Sequence, residues 1–366
     1  MVEGMASEHR TARKIDTVAV VGAGAWGTAL AMTAVRADRS VRLWAREPEV
    51  VASIRKSREN TLFLPGHHVP EAVAVDNDLA AVVGGADVVL IVVPSQFLRK
   101  TAETLRPLLA PETPVVICAK GIERGSGLLL AAVVEEALPG HALAVLSGPT
   151  FAGEVAAGMP TAITVASADA AIDPQTSLAA AVAVALGTQA FRPYVSDDVV
   201  GVEVGGAVKN VLAIACGIAT GLGFGANTRA ALITRGLDEI KGLAEALGGR
   251  RDTVTGLSGI GDLTLTCSSE QSRNMRYGMG LAIGRAPSEM FGGRPVVVEG
   301  VENAQSVTDL ARSLNVDMPI CEAVRAVVLD GQPIADVMAA LLTRPFRAEP
   351  HGMDLSLAHA PSDQKA

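Results

Sequence analysis

Two lysines have surroundings that suit them to proton transfer. Lys120 follows the apolar run 115–119, so it is expected at the carboxyl end of a strand, where open α/β sheets bind their ligands. Lys209 lies in the apolar segment 202–214, where burial would disfavour the ammonium charge and lower the lysine pKa towards neutrality. Lys120 and Lys209 are therefore the candidate catalytic residues. For Lys209 the alternative is a side chain that extends to the surface or a salt bridge with Glu203 on the same helix.

Histidine and cysteine are arranged less favourably for catalysis or metal binding. The six histidines lie in the two tails or in loop-like stretches, at positions 9, 67, 68, 141, 351 and 359. His67 and His68 are adjacent, and adjacent positions rarely converge on one ion, so we predict a surface loop and no metal site. The four cysteines, at 118, 216, 267 and 321, form no recognisable disulfide or metal cluster. This cysteine usage predicts the reducing cytoplasm.

A glycine-rich turn follows the first predicted strand. Its sequence, GAGAWG at 22–27, has the G-x-G-x-x-G spacing between a strand and a helix. Gly22 would permit the tight turn, Gly24 would let the backbone approach a pyrophosphate, and Gly27 would allow the helix to pack closely. The helix N-terminus would offer free N–H groups to the phosphates. We therefore predict a dinucleotide site, with an ordinary strand-to-helix turn as the alternative.

The end of the second predicted strand carries the residues that distinguish the two nicotinamide dinucleotides. An acidic residue there usually binds the adenosine ribose, but this chain has Arg46 followed by Glu47. A guanidinium at this place can pair with a 2′-phosphate, so NADP is the predicted cofactor, and Glu47 leaves NAD possible. The alternative for Arg46 is a solvated cation at a strand end.

Three further segments have the chemistry of a phosphate-binding pocket. Ser272, Arg273 and Asn274 combine a hydroxyl, a guanidinium and an amide within three positions, although Ser272 could instead cap a helix. Asp262 follows a Gly-Ile-Gly turn and could accept a substrate hydroxyl, orient Lys209, or simply cap a helix. The segment 148–150, Gly-Pro-Thr, ends a strand and opens a helix, so its N–H groups could meet an anion or serve only as a turn.

The elements that must position these residues form two groups. Strands are predicted at 17–21, 41–45, 87–93, 115–119, 142–146, 161–165 and, more weakly, 191–194, with helices at 26–37, 96–109, 128–138 and 175–186. This alternation predicts an α/β fold with a parallel, doubly wound Rossmann-type sheet. Beyond residue 196 only helices are predicted, at 202–223, 229–247, 304–314, 321–329 and 334–342. The predicted organisation is a flexible extension (1–14), a Rossmann domain (15–196), a helical substrate domain (197–345) and a disordered tail (346–366).

Composition limits the possible partners. The 366 residues include 31 Lys+Arg and 39 Asp+Glu, a net charge of −8, so no general basic surface exists to attract nucleic acid. The first 14 residues lack the apolar core of a signal peptide. The longest apolar run, 211–226, is shorter than a bilayer span, so it is predicted to be a buried core helix without membrane insertion.

Taken in order, these segments resemble bacterial NAD(P)-dependent sn-glycerol-3-phosphate dehydrogenases. The resemblance rests on the glycine turn and on AKG at 119–121, LSGPTFAGEV at 146–155, VKNVLA at 208–213, GIGDLTLTC at 259–267 and QSRN at 271–274. It extends from about residue 18 to residue 340. The series is specific, because the hydroxyisobutyrate and 6-phosphogluconate dehydrogenases, which share the architecture, do not combine GDL with QSRN. The implied second domain resembles the C-terminal domain of 6-phosphogluconate dehydrogenase.

The resemblance implies reversible reduction of dihydroxyacetone phosphate to sn-glycerol 3-phosphate, the entry to glycerophospholipid synthesis, by a homodimer. Lys209 would accept the proton in the oxidation direction. The implied substrate contacts are Lys120, Gly148, Thr150, Lys209, Asp262, Ser272, Arg273 and Asn274. The implied cofactor contacts beyond the glycine turn are Trp26, Arg46, Lys120, Ala152, Arg273, Val297 and Glu299. The chain has Ala25 where the family often has serine, so a hydroxyl contact to the pyrophosphate would be missing.

Two other functions are compatible with the fold. A related 3-hydroxy-acid dehydrogenase would prefer a carboxylate to a phosphate substrate. A non-catalytic NAD(P) sensor would have lost the lysines or the phosphate ligands, whereas Lys120, Lys209, Asp262 and Arg273 are all present. For Glu299 the alternative to a cofactor contact is a solvated acid at a helix start.

Overall fold

The N-terminal half of the chain is organised around a β-sheet. The computed structural model describes residues 13–293, 296–344, 346–347 and 356–357. Up to residue 196 it has ten strands: β1 (Thr17–Val21), β2 (Ser40–Trp44), β3 (Glu59–Asn60), β4 (Leu64–His68), β5 (Val73–Asp76), β6 (Val88–Ile91), β7 (Val115–Ile117), β8 (Leu143–Ser147), β9 (Thr161–Ala166) and β10 (Phe191–Ser196). All seven predicted strands are present, within a few residues of their expected ends.

Eight of these strands form one twisted sheet in the order β10-β9-β8-β7-β6-β1-β2-β5. Residues of β1 alternate between the two faces, Val18 and Val20 packing on one side and Ala19 and Val21 on the other. Burial on both faces is what a parallel sheet covered by crossover helices requires. The strand order reverses between β1 and β6, so ligands are expected to bind above the carboxyl ends of these two strands.

Two features of the sheet differ from the sequence prediction. β9 pairs antiparallel with β8, and β10 is parallel to β9, so the last two strands run against the rest of the sheet. The predicted fully parallel sheet is wrong at this edge, because strand composition alone carries no direction. The sheet also has an edge strand that was not predicted, β5, which pairs parallel with β2. With four residues and one strongly buried face, β5 is too short to give a clear alternation.

Seven helices cover the sheet: α1 (Ala25–Arg36), α2 (Pro48–Ser57), α3 (Leu79–Val83), α4 (Leu98–Leu105), α5 (Leu130–Ala137), α6 (Ala152–Ala156) and α7 (Leu178–Leu186). Those overlapping the four predicted helices are α1, α4, α5 and α7. Short 3-10 turns occur at Ser95–Phe97 and Ala168–Ala171. β3 and β4 form a separate antiparallel hairpin that includes His67 and His68, so the loop predicted for these histidines is wrong. Among the described residues, no group of three or more His, Cys, Asp or Glu side chains could hold a metal ion.

The second half is helical in its described part up to residue 344. Its helices are α8 (Val199–Gly221), α9 (Ala226–Ala246), α10 (Arg251–Val254), α11 (Asp262–Ser268), α12 (Arg273–Ala282), α13 (Glu299–Ser313), α14 (Pro319–Val328) and α15 (Ile334–Leu342). A π-helical turn at Leu257–Gly261 precedes α11, and a 3-10 segment, Pro287–Gly293, follows α12. α8 lies in the middle and contacts α9, α11, α12, α13 and α14.

Helix α8 is long and apolar enough to cross a membrane by length and composition, but 83% of its apolar window is buried inside the protein. This burial confirms the core helix predicted at 211–226 only as far as residue 221, because residues 222–225 form an exposed turn before α9. At the chain end, Phe346–Arg347 pairs with Ser356–Leu357 as two short antiparallel strands, β11 and β12. Residues 1–12 of the predicted extension, and the predicted tail apart from these four residues, lie outside the described part of the chain.

Candidate active site

The glycine turn between β1 and α1 has the geometry of a phosphate-binding loop. A Cβ on Gly22 would lie 2.5 Å from the carbonyl oxygen of Val92, and one on Gly27 would lie 1.8 Å from the carbonyl oxygen of Gly22. A Cβ on Gly24 would meet no described atom within 4 Å. The first and third glycines therefore permit close packing, whereas the second faces open space. No side chain caps α1 within the described residues, so its N-terminal N–H groups are available to an anion.

A buried asparagine holds the β3–β4 hairpin against this turn. Asn60 Nδ2 donates to the carbonyl oxygen of Ala23 and to Thr28 Oγ1, both at 2.9 Å. The hairpin therefore forms one wall beside the glycine turn. Sequence analysis missed Asn60, because an asparagine at this place is also typical of an ordinary turn and its two partners lie more than thirty residues away.

Three of the other predicted cofactor residues, Trp26, Ala152 and Arg46, lie in the sheet-containing half with this turn. Trp26 is the second residue of α1, and Ala152 begins α6; both are partly buried against the sheet core. Arg46 lies just beyond β2 with 71% of its side chain exposed, and its Nη2 is 2.6 Å from Glu47 Oε1. A 2′-phosphate would have to compete with Glu47 for this guanidinium. Exposed ion pairs contribute at most about 1 kcal/mol, so this competition is weak.

The two candidate lysines meet at one buried carboxylate. Lys209 Nζ is 2.5 Å from Asp262 Oδ1, and Lys120 Nζ is 2.6 Å from Asp262 Oδ2. Lys209 also donates to Thr266 Oγ1 at 3.0 Å, and Lys120 donates to the carbonyl oxygen of Gly148 at 3.1 Å. Asp262 is completely buried. Of the sequence-based interpretations of Asp262, the one in which it orients Lys209 therefore matches the geometry.

The environment of Lys209 suits proton exchange near neutral pH. Its pKa is lowered to about 8, chiefly by burial and in part by the neighbouring Lys120, while Asp262 and Glu299 oppose the shift. The salt bridge with Glu203 considered above is wrong, because the Glu203 carboxyl instead accepts the backbone N–H of Ala131. A general acid or base works best when its pKa lies near the working pH.

Close packing of backbone brings Asp262 to Lys209. A Cβ on Gly205 of α8 would lie 2.6 Å from the carbonyl oxygen of Ser258, and one on Gly259 would lie 1.8 Å from that of Val254. Without these glycines the π-helical turn could not lie against α8. π-helical turns are frequent at functional sites, and here the turn ends at Gly261, directly before Asp262.

The segment after β8 lies beside the lysines. A Cβ on Gly148 would be 2.9 Å from the Cα of Ile163 in β9, so the close approach of that strand requires glycine. Besides receiving the Lys120 hydrogen bond, the Gly148 carbonyl oxygen accepts the Thr150 hydroxyl at 3.3 Å. Both residues predicted to contact substrate in this segment are thus linked to Lys120.

Ser272, Arg273 and Asn274 begin α12 and have three different environments. The Ser272 hydroxyl caps the helix by accepting the backbone N–H of Met275, as the alternative interpretation anticipated. Asn274 is buried; its Nδ2 donates to Asn210 Oδ1 and its Oδ1 accepts the Gly300 N–H, both at 2.9 Å. Arg273 is half exposed and has only a long ion pair to Glu299, so it is the member of the trio best placed to reach a ligand phosphate.

Asn210 and Thr266 were named in sequence motifs but not assigned to the site. Asn210 Nδ2 donates to Glu299 Oε2 at 3.1 Å, which joins α8, α12 and the start of α13 in one hydrogen-bonded chain. Glu299 Oε1 lies 3.9 Å from Arg273 Nη2, and Val297 is exposed just before α13. The signal that could have found Asn210 is its position next to Lys209 in an otherwise apolar helix. Thr266 gave no such signal.

Comparison with known proteins identifies the group to which this site belongs. The family models described as NAD-dependent glycerol-3-phosphate dehydrogenase N-terminus and C-terminus match residues 17–173 and 198–339. The chain belongs to this family. It is 52% identical over 335 residues to glycerol-3-phosphate dehydrogenase [NAD(P)+] of Rhodospirillum rubrum, covering 92% of this chain and 94% of that protein. It is 51% identical to the Parvibaculum lavamentivorans protein of the same name, covering 91% and 98%.

Solved glycerol-3-phosphate dehydrogenases have the same architecture. The crystal structure of the Coxiella burnetii enzyme aligns with a TM-score of 0.83 at 39% identity and covers 90% of this chain and 99% of that chain. The Saccharomyces cerevisiae enzyme aligns with a TM-score of 0.76 at 26% identity, covering 90% and 99%. The predicted Rossmann-type domain followed by a helical domain is confirmed, and so is the resemblance to glycerol-3-phosphate dehydrogenases stated from the motifs.

Proposed function

We propose that this chain catalyses the reversible, NAD(P)H-dependent reduction of dihydroxyacetone phosphate to sn-glycerol 3-phosphate. The observation that carries the proposal is the pair of lysine ammonium groups, Lys120 and Lys209, bound to opposite oxygens of the buried Asp262. A carbonyl oxygen that is about to become a hydroxyl needs both a cation and a proton donor, and this pair supplies both. Relatives at about half identity are named glycerol-3-phosphate dehydrogenase [NAD(P)+]. The product would serve glycerophospholipid synthesis.

The glycine turn fits a nicotinamide dinucleotide. The open face of Gly24 leaves room for the pyrophosphate, and the N-terminus of α1 is directed at the same place. When bound, the reduced nicotinamide supplies the hydride. Trp26, Ala152, Val297 and Glu299 would complete the site around the dinucleotide. Arg46 would bind a 2′-phosphate, which favours NADPH and leaves NADH usable, because Glu47 holds the same guanidinium.

Lys209 would move the proton. In the reduction direction its ammonium group donates a proton from Nζ to the substrate carbonyl oxygen, and in the oxidation direction the neutral amine accepts the proton of the hydroxyl. Asp262 and Thr266 hold Nζ in one orientation in either state. The ammonium group of Lys120 would lie beside the substrate carbonyl oxygen and stabilise the negative charge that develops on it.

The substrate phosphate would bind at the start of α12. Arg273 supplies a guanidinium that is half exposed, Ser272 supplies a hydroxyl at the helix N-terminus, and Asn274 is held rigidly by Asn210 and Gly300. Thr150 and the Gly148 backbone would contact the glycerol part. An anion gains from both the guanidinium and the free N–H groups of the first helical turn.

The assembly and location that we propose follow the family resemblance. The enzyme would be a cytoplasmic homodimer, with a Rossmann domain at 15–196 and a helical substrate domain at 197–345. The four cysteines are free and buried, which suits a reducing compartment. Light scattering of the purified protein tests the dimer directly, because a monomer mass would refute it.

The test of function is an initial-rate assay that follows loss of reduced nicotinamide absorbance with dihydroxyacetone phosphate, run in parallel with NADPH and NADH. Lys209→Ala should abolish turnover while NADPH binding persists, and Lys100→Ala, the same change at an exposed lysine, serves as the matched control. Turnover of 3-hydroxy acids in preference to the phosphate would favour the related dehydrogenase instead. Binding of NADPH without turnover of either substrate class would favour the sensor.

A further inference from the structure

A buried carboxyl group connects the helix that carries Lys209 with the segment that carries Lys120. Glu203 lies in α8, six residues before Lys209, and its side chain is buried. Its Oε1 accepts the backbone N–H of Ala131 at 2.9 Å, at the start of α5. Since α5 belongs to the sheet-containing half and α8 to the helical half, this hydrogen bond joins the two parts of the molecule.

Residues 118–129, which we call the Lys120 segment, connect the end of β7 with the start of α5. A bridge between Ile122 and Leu129 closes this segment on itself. Lys120 Nζ is fixed to Asp262 near one end, and Glu203 fixes α5 at the other end. Asp262 and Glu203 both belong to the helical half, which also carries Lys209. The Lys120 segment is therefore fixed at two points relative to Lys209.

Glu203 also borders a narrow gap that adjoins the active site. Glu203 and Ser147 line this gap together with Lys120 and Gly121. Neither Glu203 Oε2 nor Ser147 Oγ has a hydrogen-bond partner among the described residues, and both atoms are buried. Polar atoms left unpaired inside a protein are costly, so a purely structural side chain here would be better apolar.

We propose that Glu203 is a positioning residue of the reaction: by holding α5 to α8, it keeps Lys120 at the distance that lets both lysines share Asp262. This inference rests on the proposed function of those lysines. Glu203 need not touch substrate, because it acts through the Lys120 segment. Misplacement of a catalytic group by about 1 Å can cost on the order of a hundredfold in rate, so a small movement of α5 is sufficient.

The protonation state of Glu203 determines the conservative variant. Burial raises its pKa to about 8, and the backbone N–H groups of Ala131 and Leu130 oppose this shift. At neutral pH the carboxyl is therefore mostly neutral, and glutamine matches it in charge, size and acceptor oxygen. Glu203→Gln should preserve the attachment to α5. Glu203→Met has similar length but no acceptor, and it should release α5.

Glu239 provides a matched control. It is also a buried glutamate that accepts two backbone N–H groups at the start of a helix, those of Ile320 at 2.7 Å and Cys321 at 3.1 Å. Among the described residues, both of its hydrogen-bond partners lie within the helical half and neither belongs to the Lys120 segment. Glu239→Met therefore removes the same kind of interaction, a buried carboxyl that accepts backbone N–H groups, without acting on the lysines.

The experiment measures kcat and both Michaelis constants for the four variants E203M, E203Q, E239M and E239Q, at a temperature where circular dichroism shows each to be folded. E203M should lower kcat/KM for dihydroxyacetone phosphate by about tenfold or more, with the KM for NADPH changed by less than about twofold. E203Q should stay near the wild type, and so should both Glu239 variants. If E203M does not fold, E203D, whose carboxyl is one methylene too short, carries the same expectation.

The outcomes separate this inference from the proposed function. Wild-type protein that binds NADPH but does not turn over dihydroxyacetone phosphate refutes the function itself. Active wild type, with E203M or E203D as active as E239M, overturns the positioning role. Loss of activity in E203Q equal to that in E203M also overturns it, because the attachment to α5 would then not be what matters.

Discussion

Replacing Asp262 by asparagine should move the pH dependence of the reaction to lower pH. Lys209 is faced by the carboxylate of Asp262, the ammonium of Lys120, the carboxylate of Glu299 and the buried thiol of Cys267. Asp262 is the largest of the groups that favour the charged form of Lys209. Without it, burial and the neighbouring Lys120 act with less opposition, so the lysine pKa must fall.

The size of the shift follows from the geometry. Losing an opposite charge within hydrogen-bond distance typically moves a pKa by about 1 to 3 units. The pKa of Lys209 would fall from about 8 to roughly 5 to 7. At about pH 7.5 the wild type would then keep roughly three quarters of its low-pH rate of reduction, whereas a variant with a pKa of about 6.5 would keep roughly a tenth of its own.

The assay is kcat/KM for dihydroxyacetone phosphate at saturating NADPH between about pH 5.5 and 9.5, because this kcat/KM reports the pKa in the NADPH complex before substrate binds. Each profile is normalised to its own low-pH plateau, so a general loss of activity does not affect the comparison. The reduction profile should fall with rising pH, since the protonated lysine donates. The profile for oxidation of sn-glycerol 3-phosphate should rise over the same range, since the neutral amine accepts.

Lys120→Met supplies a control of opposite sign. It removes a like charge that lowers the pKa of Lys209, so its inflection should move above that of the wild type. The reasoning fails if Asp262→Asn leaves the inflection in place or raises it, or if the two variants shift it in the same direction. A profile without any inflection in the wild type would remove Lys209 as the titrating group.

Three further predictions concern the cofactor turn and stability. Gly27→Ala should lower the melting temperature in thermal unfolding, because the added Cβ would overlap a carbonyl oxygen. Gly24→Ala should leave the melting temperature unchanged but weaken NADPH binding in a fluorescence titration. Arg46→Ala should lower the ratio of kcat/KM with NADPH to that with NADH, and Glu47→Gln should raise it by freeing the guanidinium. Burial raises the pKa of Glu239 to about 7, above its unfolded value, so the native state holds a proton that is lost as pH rises through 7. The free energy of unfolding, measured in urea, should therefore decrease between about pH 5 and about pH 8 in the wild type. The decrease over the same range should be smaller in Glu239→Gln.

Each of these predictions has an outcome that contradicts it. Equal melting temperatures for the two glycine variants would mean that the turn can rearrange around Gly27. An unchanged cofactor ratio in Arg46→Ala would make that residue the solvated cation considered as its alternative. If the stability of Glu239→Gln depends on pH as that of the wild type does, the Glu239 carboxyl is ionised in the native protein.

Local pattern was sufficient to predict much of the fold, and it also singled out the individual candidate residues of the site. The glycine turn lies between a strand and a helix that are close in sequence, and Lys120 follows a fully apolar strand, so their positions depend on short-range geometry. The reversed strands β9 and β10 and the edge strand β5 depend on pairing between distant segments. Their composition is that of any short strand, so neither direction nor order could be inferred from it.

Which of the candidate residues contact one another was harder to predict than the candidates themselves. Asp262 is 53 residues from Lys209 and 142 from Lys120, and nothing in its own segment indicates that it contacts both. The same holds for Asn210, whose partners lie on α12 and α13. Contacts at such separations follow from helix packing, which is set by the small residues Gly205 and Gly259 rather than by the charged residues themselves.

The shared carboxylate explains why two lysines can occupy one buried site. Two ammonium groups close together in a medium of low dielectric constant repel strongly, and burial adds a desolvation penalty for each. Asp262 offsets this repulsion by accepting one lysine on each oxygen, and it leaves the group with one net positive charge. In the proposed reaction this residual charge would favour the negative charge that develops on the substrate oxygen during reduction. Asp262 therefore stabilises the charged form of the lysine pair, and under the proposed function this pair would stabilise the alkoxide.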